Sequence, residues 1–159
     1  MNVFIDTQIW VYSFKKPLRV KFENEKTYEE AVLMHNTARK LVKDSLVNHT
    51  IYLTTHQLAE LFHVLAFKGV KMDKKDALEI LEKISGSSKT VIINVKKKHY
   101  KKALKLSSLS GIHIWDYLCI LPLKGLIDIA YTNDKHFLHP TLKNQTPKLE
   151  NPLGKWREL

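Results

Sequence analysis

The segment Asn2-Val3-Phe4-Ile5-Asp6-Thr7 (residues 2–7) decides the fold class, because a short apolar run ends abruptly on a carboxylate. Three consecutive apolar residues are typical of a strand that is buried on both faces of a parallel sheet. Asp6 then either caps the helix that follows, as Asp often does, or serves as a ligand for a metal ion. These residues alone leave both possibilities equally open, so the choice depends on other acids in the chain.

Three further runs rich in β-branched or aromatic residues predict strands at residues 51–53, 91–95 and 127–131. A short edge strand is expected near Leu149, within a proline-rich and otherwise irregular tail. Because the stretches between these runs have helical patterns, the strands should lie parallel with helices on both faces. The sequence therefore predicts an α/β fold, a three-layer α/β/α sandwich around a parallel sheet of four to five strands.

The helix boundaries are predicted from capping residues and apolar spacing. Capping boxes at residues 27–30 and 54–57 each open a helix, and Asp73 caps a third. A fourth helix is expected to turn Tyr100, Ala103, Leu104 and Ser107 inward, and a fifth covers residues 115–121. No linker or repeat interrupts the 159 residues, which predicts a single domain over residues 1–159.

The composition indicates a globular protein of the reducing cytoplasm. One cysteine, Cys119, excludes an internal disulfide and a cysteine-based zinc site. No signal peptide or membrane-spanning run is expected, which favours a cytoplasmic location. The 26 Lys and Arg residues against 16 Asp and Glu give a formal net charge of +10. Such a charge favours a polyanionic partner, of which nucleic acid is the most common, although an acidic protein would also fit.

Four acids far apart in the sequence are predicted at one edge of the sheet. Asp6 ends the first strand, and Asp134 follows the fourth. Glu60 lies in the second turn of the helix after the second strand, and Asp116 opens the fifth helix. Ligands of open α/β sheets bind at the carboxyl ends of the strands, where these acids converge.

Each acid also has an ordinary structural interpretation. Glu60 lies opposite the apolar stripe of its helix, as a solvated residue would, and Asp134 fits a turn after a strand. Asp116 stands in the apolar run 112–121, where an unpaired charge is costly. Their joint placement favours a metal site, because clustered carboxylates repel one another unless a cation compensates. Mg²⁺ and Mn²⁺ prefer such oxygen ligands and promote phosphoryl chemistry.

With these residues in hand, the chain resembles the PIN domain family, and within it the VapC-like toxins, over essentially its full length. The first strand with its acid matches Val3-Phe4-Ile5-Asp6-Thr7, and the helical acid matches Gln57-Leu58-Ala59-Glu60-Leu61. The third acid resembles Ile114-Trp115-Asp116-Tyr117, and the fourth resembles Thr132-Asn133-Asp134-Lys135-His136-Phe137. The tail Leu149-Glu150-Asn151-Pro152 is similar to the last strand of the family and its Asn-Pro ending.

The resemblance implies a metal-dependent endoribonuclease that hydrolyses RNA phosphodiester bonds with metal-activated water. It implies Mg²⁺ or Mn²⁺ held by Asp6, Glu60, Asp116 and Asp134, with Thr7 and Thr132 in support. It also implies a toxin–antitoxin pair, with a small antitoxin as partner, and a homodimer. Gln8 departs from the family, which usually has Asn or Ser there, and this puts a supporting contact in doubt.

Two other functions stay open: an RNA-processing PIN nuclease outside a toxin system, and a non-catalytic RNA-binding PIN module. The presence of all four acids weighs against the second. An aspartyl phosphotransferase is disfavoured, because Gln8 stands where its second Asp is needed.

A lysine-rich helix supplies the candidate RNA contacts. Lys96 and the lysines that follow it would self-repel, which favours an anionic partner and predicts RNA contacts at Lys97, Lys98, Lys101, Lys102 and Lys105. The histidines, His56, His63, His113 and His136 among them, are expected at the surface or in the core rather than as ligands.

Overall fold

A computed structural model describes residues 1–158 of the chain. Within these residues five strands form one sheet, and every neighbouring pair is parallel. The strands are β1 (Asn2–Ile5), β2 (Thr50–Thr54), β3 (Thr90–Ile93), β4 (Ile129–Tyr131) and β5 (Leu149–Glu150). Their order across the sheet is β3-β2-β1-β4-β5, which puts β1 at the centre. The predicted parallel sheet is confirmed.

Helices join the strands and cover the sheet. They are α1 (Thr7–Phe14), α2 (Glu25–Asn48), α3 (Thr55–His63), α4 (Lys74–Ser85), α5 (Lys97–Ser110), α6 (Ile114–Ile120) and α7 (Pro140–Lys143). Helix α3 continues as a π-helical turn, Val64–Lys68, and short 3₁₀ turns cover Arg19–Lys21, Leu121–Leu123 and Lys135–Leu138. Within residues 1–158, no helix combines the length and the apolar character that crossing a bilayer requires.

The side chains of β1 alternate between two apolar cores, one on each face of the sheet. Val3 and Ile5 are fully buried in a core that α1 to α4 complete. Phe4 is fully buried on the opposite face, against residues of α5 and α6. A central strand with no solvated face explains why its sequence is continuously apolar. The three-layer α/β/α sandwich is therefore confirmed.

The helix starts agree with prediction in two cases out of three. Thr54 caps α3 by accepting the Gln57 amide at 3.1 Å, and Asp73 caps α4 by accepting the Lys75 amide at 2.8 Å. The prediction for α2 was wrong, because Asn24 is its cap and accepts the Thr27 amide at 2.9 Å. Asn and Thr are both good caps, and the earlier one adds a further turn of helix.

The prediction that the Gln57 side chain closes a capping box was wrong. Its side chain is fully buried, and Nε2 donates a 2.7 Å hydrogen bond to the Ile5 carbonyl at the end of β1. The same carbonyl accepts a 3.1 Å bond from Trp10 Nε1. These two bonds fix α1 and α3 against the end of the central strand.

The predicted inward face of α5 was wrong at two of its four residues. Ala103 is buried and Ser107 is half-buried, but Tyr100 is 43% exposed and Leu104 is 60% exposed. The other half-buried positions of this stripe are His99, Leu106 and Ser110. The exposed face of α5 therefore mixes lysines with an aromatic and an aliphatic side chain.

We expect Gln57→Ala to lower the free energy of unfolding by about 1–3 kcal/mol, since it removes a buried hydrogen bond to the end of β1. Urea unfolding followed by circular dichroism measures the change. Asn36→Ala is the control, because Asn36 is exposed on α2 and its loss should cost less than about 0.5 kcal/mol. Equal unfolding midpoints for the two variants would contradict this role of Gln57.

Candidate active site

The four predicted acids meet at the carboxyl edge of the sheet. Asp6 follows β1, Asp134 follows β4, and Glu60 and Asp116 come from α3 and α6. Their proximity is evident in their electrostatics, since the charges of Asp116, Asp134 and Glu60 each raise the pKa of Asp6. Segments far apart in the chain thus contribute to one cluster, which we call the acid cluster.

Asp6 occupies the N-cap position of α1 but does not cap it, because its side chain makes no hydrogen bond to the helix. Its Oδ2 instead accepts a 2.6 Å hydrogen bond from Thr132 Oγ1. The pKa of Asp6 is raised to about 8: burial is the main cause, the charges of the neighbouring acids add to it, and the Thr132 hydrogen bond opposes it. A carboxyl that resists ionisation in this way is set up to receive a cation rather than to stabilise a helix.

Thr132 joins two of the acids. Its side chain is fully buried after β4, and its hydroxyl accepts the Asp134 amide at 3.0 Å while donating to Asp6. On the other side of the cluster, Thr7 Oγ1 donates a 2.5 Å hydrogen bond to Glu60 Oε2. Each of these two threonines therefore orients one carboxylate.

Glu60 is half-buried, so it is not the solvated residue that its helical position alone allows. Its Oε2 also accepts a hydrogen bond from the Cys119 thiol at 3.7 Å. The Glu60 carboxylate is therefore contacted from α1 by Thr7 and from α6 by Cys119.

His136 lies between the remaining two acids, which the sequence did not predict. Its Nδ1 is 3.0 Å from Asp116 Oδ2 and 3.4 Å from Asp134 Oδ2. Its backbone amide donates a 2.9 Å hydrogen bond to Asp134 Oδ1, which makes Asp134 the cap of the 3₁₀ turn as well. The only sequence signal was its position two residues after an acid, and this is too weak to distinguish a histidine of the site.

The pKa values of these two acids reflect both burial and His136. Burial and the Asp134 charge raise the pKa of Asp116 to about 6, against the contact with His136. Burial raises the pKa of Asp134, and the His136 amide and ring oppose that rise. A bound cation would therefore be stabilised both near Asp6 and near Asp116, where the pKa values of the carboxyl groups are raised.

The donor set fits a hard divalent cation. Four carboxyl groups interact electrostatically, and at least two of them have pKa values raised by burial and mutual repulsion. Donor atoms of Asp116, Asp134 and His136 also lie within 4.8 Å of one another, close enough to share an ion. Mg²⁺ and Mn²⁺ prefer such oxygen-rich sites, and Mn²⁺ also accepts a histidine nitrogen.

The predicted RNA-contact lysines lie on a different element from the acids. Lys97, Lys98, Lys101, Lys102 and Lys105 are all exposed on α5. Helix α5 packs against α6, the helix that carries Asp116. Gln8, the residue that departs from the family pattern, is half-buried in the first turn of α1.

The fold is similar to that of a solved toxin–antitoxin structure of the VapBC type. The chain matches a chain in the crystal structure of VapBC2 from Rickettsia felis bound to a DNA fragment from their promoter. The match covers 95% of this chain and 98% of the other, with 20% sequence identity and a TM-score of 0.56. No model of a known protein family matches the sequence, and no curated protein does. At this identity the likeness establishes the α/β fold, and the chemistry has to be argued from the site.

In the metal-free protein, we expect the free energy of unfolding to fall as the pH rises from about 6 to about 8. The pKa of Asp6 is raised from 3.8 to about 8, so the folded state keeps a proton that the unfolded chain has already released. Each pH unit in this window then costs about 1 kcal/mol.

Urea unfolding in EDTA at several pH values measures this slope. Asp6→Asn is the matched control, because it keeps the shape of the side chain and has no proton to release. The difference between the two proteins removes the contribution of the histidines. Parallel pH profiles would contradict the raised pKa of Asp6.

Proposed function

We propose that the chain is a PIN-type endoribonuclease that depends on Mg²⁺ or Mn²⁺ and hydrolyses RNA phosphodiester bonds. The observation that carries this proposal is the convergence of Asp6, Glu60, Asp116 and Asp134 at the carboxyl edge of the central strands. In an open α/β sheet this is the edge at which ligands bind. The two apolar cores on either side of one sheet support a single PIN-like domain over the whole chain.

In this proposal the four acids are the metal ligands. A bound Mg²⁺ or Mn²⁺ lowers the pKa of water and neutralises negative charge on the phosphate. Thr132 and Thr7 hold the carboxylates of Asp6 and Glu60 in fixed orientations, as hydrogen bonds to ligands commonly do. His136 contributes either a nitrogen donor or, when protonated, a positive charge between Asp116 and Asp134.

The substrate class is inferred from charge. The formal net charge of +10 attracts a polyanion, and the exposed lysines of α5 concentrate that charge on one helix. Tyr100 and Leu104 are exposed among these lysines, which suits the stacking of unpaired bases beside phosphate contacts. Helix α5 packs against α6, which carries Asp116. An RNA strand bound to α5 would therefore lie on the helix that neighbours the one with this acid.

The likeness to a VapBC2 chain supports a toxin of a toxin–antitoxin pair, with a small antitoxin as partner. A homodimer as the assembly is part of the same proposal and rests on the family resemblance. A cleft of about 600 Å³ between α1 and α2 suits such a partner. Its wall is apolar, with Phe14, Phe22 and Met34, and its rim is basic, with the exposed residues Lys15, Lys16, Lys21 and Arg157. An antitoxin segment that alternates apolar and acidic residues would fill the apolar wall and pair with the basic rim.

We expect Asp6→Asn and Asp116→Asn each to slow RNA cleavage by about 100-fold or more, since each removes a charge that the proposed chemistry needs. The measurement is single-turnover cleavage of structured RNAs in Mn²⁺, with and without EDTA. Asp76→Asn is the matched control, because Asp76 is exposed in the first turn of α4 and should leave the rate unchanged.

Cleavage that persists in EDTA or in both variants would rule out the metal-dependent nuclease. RNA binding without cleavage under any condition would instead favour the non-catalytic module.

We expect the double variant Lys97→Ala, Lys101→Ala to weaken RNA binding and to reduce the slope of log affinity against log salt by roughly 1.4, because the release of two counterions is lost. Filter binding with catalytically inactive Asp6→Asn protein measures both quantities. Lys40→Ala, Lys43→Ala is the control, as it removes the same charge from the exposed face of α2. Equal losses in the two double variants would mean that net charge, rather than α5, governs binding.

A further inference from the structure

Three donors of different chemistry converge beside the acid cluster. His56 and Glu60 are one turn apart on α3, and Cys119 faces them from α6. One ligand atom from each of these residues lies within 4.8 Å of the other two. Of the three, only Glu60 is a proposed metal ligand of the nuclease site.

The spacing of sulfur and oxygen is that of a shared metal. Cys119 Sγ lies 3.7 Å from Glu60 Oε2, and the thiol donates its hydrogen to that oxygen. Tetrahedral bond lengths to zinc place a thiolate sulfur and a carboxylate oxygen about 3.5–3.7 Å apart. A divalent ion can therefore replace the thiol proton between these two atoms without a large movement of either side chain, and the proton is released to solvent.

His56 adds an imidazole ring whose orientation is fixed by packing. Its ring stacks on Trp115, with centroids 5.2 Å apart and an angle of 6° between the planes. Its Nε2 is buried and has no hydrogen-bond partner among residues 1–158, which is a costly state for a polar atom. A cation bound by the imidazole would offset that cost, and the stack would hold the ring in place.

The sequence argued against a cysteine-based zinc site and against a histidine ligand at His56, but the tertiary structure brings both residues to Glu60. We propose that His56, Glu60 and Cys119 form a second cation site, selective for a borderline-soft ion such as Zn²⁺ or Co²⁺. A nitrogen, a carboxylate and a thiolate favour these ions over Mg²⁺, which prefers oxygen ligands alone. The three protein ligands leave a fourth position for water. The existence of this site is independent of the proposed nuclease.

One consequence does rest on the proposed function. Glu60 is shared between the two sites, so an ion held by His56 and Cys119 draws this carboxylate away from Asp6, Asp116 and Asp134. Zn²⁺ should therefore inhibit cleavage that is supported by Mn²⁺.

The test is a titration of the metal-free, full-length protein with Co²⁺ in excess Mg²⁺, followed by absorption. We expect a sulfur-to-cobalt charge-transfer band that saturates at one ion per chain. Because Cys119 is the only cysteine, this band reports its thiolate alone. His56→Phe keeps a ring to stack on Trp115 but removes the nitrogen ligand, and it should weaken Co²⁺ binding about 10-fold or more.

Asp116→Asn is the comparison variant, and it should retain the band because Asp116 is not part of this donor set. The absence of the band in the unaltered protein would overturn the site. A band whose affinity is unchanged in His56→Phe would also overturn it, since the cysteine would then be binding without the histidine. Circular dichroism checks that each variant is folded.

A cleavage assay then tests the shared carboxylate. Zn²⁺ should inhibit Mn²⁺-dependent cleavage in the unaltered protein and about 10-fold more weakly in His56→Phe. Equal inhibition of both proteins would overturn the sharing of Glu60. If no cleavage is seen with Mn²⁺ alone, the proposed nuclease function fails, and the Co²⁺ titration still decides the cation site.

Discussion

The hydrogen bond from Thr132 to Asp6 joins the carboxyl ends of β1 and β4, and the remaining acids are arranged around it. It forms because the two strands are paired in parallel, with Ile5 opposite Tyr131, so that the residues after each strand leave the sheet together. The same hydroxyl accepts the amide of Asp134. Burying these carboxyl groups is costly, and the apolar cores on both faces of the sheet offset that cost.

The sequence was a good guide to the sheet and a weaker one to the helix surfaces. Parallel strands buried on both faces need continuous apolar runs, and the apolar run at residues 3–5 of β1 predicts such a strand. The inward face of α5 was predicted wrongly at Tyr100 and Leu104, because both residues have large hydrophobic side chains. The inward stripe contains Ala103, Ser107 and Ser110, small residues that suit close packing against α6 rather than a large apolar surface. Which stripe faces inward depends on the neighbouring helix, and no local pattern contains that information.

The acids of the site could be proposed from their positions after strands, but the groups that tune them could not. Residues 2–7 alone left Asp6 equally a cap or a ligand, and the structure shows its carboxylate hydrogen-bonded to Thr132 rather than to the amides of α1. His136 and Cys119 carry no motif, and each contacts an acid that is distant in sequence. Such contacts arise only from tertiary packing. The likeness to the VapBC2 chain, at 20% identity, establishes the fold but not these contacts.

The separation of the acids along the chain also governs when they can meet during synthesis. Asp6 and Thr132 are 126 residues apart, and β4 has to pair with β1 before the hydrogen bond between these two residues can form. A nascent chain that has left the ribosome only as far as β3 has two of the four acids and no partner for Asp6. The acid cluster therefore stays unassembled through most of translation, and any activity that it supports begins only after the last of its segments has emerged.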